Sequence, residues 1–63
     1  MGELHDNLIW MSVPKYTVIV RAVAGKIVEA APVVRRLWMG KSVEAFIQWH
    51  ERTFGDKCVW RNL

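Results

Sequence analysis

A chain of 63 residues holds one domain, and at that length it buries only about 60% of the surface its unfolded form exposes, so its core is thin. The formal net charge of +3 is spread along the sequence with no block of one sign, which permits an acidic partner without implying nucleic acid. A single cysteine, Cys58, excludes an internal disulfide and a cysteine-based zinc site, and no apolar run approaches the roughly 18–20 residues of a membrane span. Glu3, His5 and Asp6 stand where a signal peptide needs a basic region and an apolar core, so a cytoplasmic location is expected.

Residues 1–14 begin polar and then run through Leu8, Ile9, Trp10, Met11 and Val13 to Pro14. That burst is too brief for an independent helix and reads as an N-terminal extension or an extra edge strand. Met11 followed by Ser12 would also serve as a translation start, which would leave the first ten residues as an arm. The main domain is expected over 15–63.

Its first strand covers 16–23, rich in β-branched residues, with Tyr16, Val18, Val20 and Ala22 on one face. Ala24 and Gly25 supply a turn, somewhat longer than a minimal hairpin, and 26–30 forms the second strand. Pro32 opens a short helical turn in which Val33, Val34, Leu37 and Trp38 recur at helical spacing until Gly40. Ser42 caps the main helix over 43–54, with Glu44 in its first turn and Gly55 at its end. Along that helix Val43, Phe46, Ile47, His50 and Phe54 fall on one stripe. A third strand over 57–61 alternates, with Cys58 and Trp60 on one side.

The expected fold is therefore α+β: a small three-stranded antiparallel sheet in the order 2-1-3, covered by one main helix, with ββαβ topology and a short helical turn before the helix. A single returning helix would make the third strand parallel to the second, through a right-handed crossover.

The segment Gly25-Lys26-Ile27-Val28-Glu29-Ala30-Ala31-Pro32-Val33, then Trp38-Met39-Gly40-Lys41-Ser42 and Trp49, resembles a group of short uncharacterised phage and prophage proteins. The match spans about residues 16–61; the longer turn and the Leu8-Ile9-Trp10 segment depart from it. The resemblance implies a phage accessory protein acting in the host cell cytoplasm, and transfers no catalytic residue.

Gly40-Lys41-Ser42 lacks the glycine of a phosphate loop, since Arg35 stands at that position, and reads as a helix cap beside a solvated lysine. His50-Glu51 begins a helical zinc motif, but Phe54 occupies the place of the second histidine. A Cys58–His50 nucleophile and base competes with the plainer reading of a small buried thiol. No catalytic residue, metal or cofactor is expected.

Two binding readings follow. A thin core cannot bury every large apolar group, so Leu8, Ile9, Trp10, Trp38 and Trp49 are candidates for a protein interface, either with a second copy as a homodimer or with a host, defence or phage protein. Against this stands a core that takes them all, because each tryptophan can bury on the order of 150–250 Å². Alternatively, Arg35, Arg36, Lys41 and Arg61 contact phosphates of nucleic acid while aromatic neighbours stack on bases; arginine stems shielding the apolar turns are the bland counterpart. The protein-binding reading leads.

Overall fold

The computed structural model describes residues 6–63, so the first five residues of the predicted extension lie outside the described part. In chain order the elements are β1 (Asp6–Val13), β2 (Tyr16–Val23), β3 (Lys26–Ala30), α1 (Pro32–Trp38), α2 (Val43–Phe54), a 3-10 turn over Gly55–Lys57, and β4 (Val59–Asn62). The sheet has four strands in the order β3-β2-β1-β4, and every neighbouring pair is antiparallel.

The three-stranded expectation fails at the N-terminus. Ile9, Met11 and Val13 alternate with Leu8, Trp10 and Ser12, and Val13 pairs with Tyr16 across Pro14 and Lys15. Pro14 thus sits in a two-residue turn, where its fixed φ is an asset, and β1 is laid along the whole of β2 as an inner strand. It separates β2 from β4, so the strands expected to be neighbours in the order 2-1-3 never touch. A chain starting at Met11 would lose Ile9 from the core and more than half of β1.

The ββαβ topology is corrected by the same geometry. Three antiparallel steps lie between β3 and β4, so they run in opposite directions and no parallel crossover exists. Two helical passes make the connection. Gly40 N–H donates to the Ile27 carbonyl and Val43 N–H to the Gly25 carbonyl, so α1 returns the chain beside β3 to its starting end. Contacts of His50 and Phe54 with Tyr16 show that α2 climbs to the opposite end of the sheet, from which β4 descends.

Local chemistry sets the ends of these elements. Ala24 (φ 53°) and Gly25 (φ 80°) both adopt left-handed conformations between the paired Val23 and Lys26, the requirement of a two-residue hairpin turn, so the turn is shorter than expected. Pro32 occupies the start of α1, and the Ser42 hydroxyl accepts a hydrogen bond from Ala45 N–H at the start of α2. Gly55 ends α2 and leads into the 3-10 turn, which delays the last strand to Val59.

One face of the sheet forms the core. Ile9, Met11, Val13, Val18, Val20 and Ile27 pack with Val34 of α1 and Phe46 of α2 in a single cluster. The predicted helical stripe provides the cover: Phe46 and His50 are fully buried, and Val43, Ile47 and Phe54 are half-buried. No described helix is long and apolar enough to cross a membrane.

Candidate functional site

The opposite face of the sheet follows from the register, because directly paired residues in an antiparallel ladder project to the same side. Trp10 pairs with Ile19 on β2 and with Arg61 on β4; Leu8 pairs with Arg21, which pairs in turn with Glu29; Ser12 pairs with Thr17 and Val59. The Ser12 and Thr17 hydroxyls lie 3.1 Å apart, a direct mark of that shared side. No described helix covers this face. Ile19 is 48% exposed, and Leu8 and Val59 are exposed to a similar degree.

The centre of the face is apolar and its margin is mostly basic. Leu8, Ile19, Val28 and Met39 line an open groove of about 470 Å³ together with Arg21 and Arg35. Val28 reaches it because the β2–β3 register shifts between Arg21 and Ala22, leaving Val28 as the extra residue of a bulge. Arg21 forms an ion pair with Glu29 at 3.3 Å. Arg61 places its guanidinium 5.4 Å from the centre of the Trp10 ring, a cation–π arrangement that holds the indole on the face.

The five predicted interface residues divide between opposite sides of the molecule. Leu8 and Trp10 belong to the open face. Ile9 is 3% exposed in the core, a correction that strand alternation imposes once its neighbours face outward. Trp38 and Trp49 lie on the helical side, 5.8 Å apart between ring centres, where Trp38 also meets Phe46 edge-on at 5.3 Å. Trp38 is half-buried against the core and Trp49 is more exposed. The predicted phosphate contacts do not form one patch either. Arg35 and Arg36 are on α1, Lys41 is in the connection bonded to β3, and Arg61 is on β4, roughly three strand spacings or about 14 Å across the sheet.

Ile19, Arg21 and Val28 escaped the sequence reading. The signal for Ile19 was present: Val18-Ile19-Val20 is apolar at both parities, as expected of a strand with an apolar residue on each face. Val28 had no such signal, since a bulge disrupts the alternation that would place it.

Beneath the helices the titratable groups serve packing. His50 is fully buried, with Nδ1 2.7 Å from the Phe46 carbonyl and Nε2 2.6 Å from the Tyr16 hydroxyl. A carbonyl only accepts, so Nδ1 carries the proton, and Nε2 of the neutral ring accepts from Tyr16. Burial lowers the His50 pKa, opposed in part by the bond to Phe46, and burial raises that of Tyr16. Both imidazole nitrogens are thereby engaged away from Cys58, whose Sγ lies 3.3 Å from the Met11 sulfur. Burial, then the negative charge of Glu51, pushes the Cys58 thiol up, opposite to the shift that activates a nucleophile. Among the described residues no three His, Cys, Asp or Glu side chains are grouped to hold a metal ion.

The class defined by this architecture is a small α+β domain, a four-stranded antiparallel sheet with two helices. The chain matches no protein-family model, no curated protein and no solved structure.

Proposed function

We propose that the protein is a non-catalytic binding module that docks another protein on the open face of its sheet. The observation that carries this reading is the central cluster of Leu8, Trp10 and Ile19, exposed or half-buried on strands whose other side is already a complete core. A contiguous apolar surface bordered by charge is the usual anatomy of a protein contact. Arg35 and Arg61 at its margin favour a partner whose apolar patch is bordered by carboxylates. The resemblance to phage proteins directs the search for that partner to host and phage-encoded proteins.

Nucleic acid is the second reading, favoured by the pairing of Trp10 with Arg61 on an exposed sheet. It is weaker because Arg61 occupies the ring surface on which a base would stack, and because the cations are dispersed.

A photo-crosslinking residue at Ile19, compared with one at Gln48 on α2, tests the assignment in cells. Protein adducts from position 19 alone are expected. Adducts from position 48 alone would move the site to the helices; nuclease-sensitive adducts at 19, with affinity falling steeply as salt rises, would replace the protein by nucleic acid.

A further inference from the structure

The two edges of the sheet are finished differently. At the β3 edge, Ile27 exchanges hydrogen bonds with the connection between the helices: its N–H donates to the Lys41 carbonyl and its carbonyl accepts from Gly40 N–H. At the other edge, β4 is the last strand of the order, and all four of its residues, Val59 to Asn62, are exposed. It has no proline, no described strand pairs with its outer side, and an edge of this kind is a template for another strand.

The backbone groups available there can be read from the ladder. Leu63 N–H donates to the Leu8 carbonyl, so Leu63, Arg61 and Val59 direct their N–H and C=O groups toward β1. Trp60 and Asn62, of the opposite parity, direct theirs away from the sheet. Cys58 shares their parity; its N–H is taken by the Gly55 carbonyl, which leaves its own carbonyl on the outer side.

We infer that β4 pairs antiparallel with β4 of a second copy, with Trp60 opposite Trp60 on the two-fold axis, joining two four-stranded sheets into one. This register follows from hydrogen bonding and charge. Each Trp60 N–H meets the other Trp60 carbonyl, and each Asn62 N–H meets the other Cys58 carbonyl, so the outward donors of β4 are satisfied. Arg61 then faces Val59 of the other copy. Sliding the pair toward the C-terminus sets Trp60 opposite Asn62 with as many bonds, but brings Arg61 against Arg61 in a non-hydrogen-bonded pair, whose Cα atoms are only about 4.5 Å apart. Sliding it the other way calls on the Cys58 N–H, which is already engaged. A second copy therefore fits because the edge complements itself, an isologous contact that closes at two chains. Trp60 is held for this on the helical side by its indole N–H, which donates to Glu51 at 2.9 Å.

The test combines sedimentation of the full chain from micromolar to millimolar concentration with amide exchange read by NMR. The mass is expected to rise from 7.3 kDa toward twice that value, with the Trp60 and Asn62 amides gaining protection as it does and those of Val59 and Arg61 staying protected throughout. Asn62→Pro removes one outward donor per copy while leaving the ladder to β1 intact, and should weaken the dimer on the order of tenfold or more. A monomer at every concentration would overturn the inference, as would a dimer indifferent to Asn62→Pro. The double variant Leu8→Ser/Ile19→Ser should leave the dimer unchanged; if it alone dissolves the dimer, the open face is the self-interface and the edge assignment is wrong.

Discussion

The two faces of the sheet are drawn from the same strands, and both are apolar at their centres. Ile9, Met11, Val18 and Val20 face the helices and are almost completely buried, whereas Leu8, Trp10 and Ile19, their immediate neighbours in sequence, remain accessible. Hydrophobicity alone does not separate them. The inner face is core because Phe46 of α2 and Val34 of α1 close over it; the outer face is a surface because both helices were committed to the other side. A large apolar residue therefore reports a demand for burial, which a helix of the same chain meets on one face and which a partner is proposed to meet on the other.

That contrast is broken most severely from the inner side. Phe46→Ala opens a cavity beside the Trp38 and His50 rings and should cost about 3–5 kcal/mol, enough to unfold much of a chain whose whole stability is expected to be roughly 3–9 kcal/mol; urea unfolding followed by tryptophan fluorescence reads this directly. Tyr16→Phe removes the donor to His50 Nε2 and leaves a buried acceptor bare, an expected loss of about 1–3 kcal/mol in the same measurement.

The pH dependence of the wild type sharpens the comparison, because among the described residues the fully buried titratable group, His50, lies on the inner side. The folded-state pKa of His50 lies below its ordinary value of 6.5, so the unfolded chain binds more protons between those two values. Its contribution is fully present above about pH 6.5 and is lost as pH falls through the folded-state value. Urea midpoints should decline from pH 8 to pH 5, and a His50→Gln chain should lose that part of the slope.

Changes to the outer face should barely register in stability. Ile19→Ser, already about half exposed, is expected to cost below about 1 kcal/mol while abolishing protein adducts from a photo-crosslinking residue placed at Thr17 on the same face. Arg61→Ala, which removes an exposed cation over Trp10, should cost about 0.5 kcal/mol or less and broaden the Trp10 indole resonance. Destabilisation by Ile19→Ser as large as that of Phe46→Ala would erase the distinction between the faces.

Much of the chain was legible as local chemistry. The strand Tyr16–Val23, the strand Lys26–Ala30 and the helix Val43–Phe54 stand where β-branched runs, Pro32, Ser42 and Gly55 place them. The N-terminal segment reads equally as an extension or an extra edge strand because Pro14 suits both a chain end and a tight turn, and one residue cannot say whether the chain stops or reverses; its inner place in the sheet is set by pairing on both sides. The binding candidates were half legible: large apolar groups in excess of a thin core could be counted, but counting could not divide Leu8 and Trp10 from Ile9, or Trp38 from the surface.

The sequence by itself determined the strands over 16–23 and 26–30, the main helix with its caps and its apolar stripe, and the absence of an internal disulfide, since each depends on residue types or on residues within a few positions of one another. Tertiary structure alone decided that β1 lies between β2 and β4, that two helical passes reverse the last strand, and that both helices choose the same face. Those outcomes depend on pairings between residues as distant as Met11 and Trp60, which no local propensity encodes. They are selected by the burial of one complete face at the expense of leaving the other open.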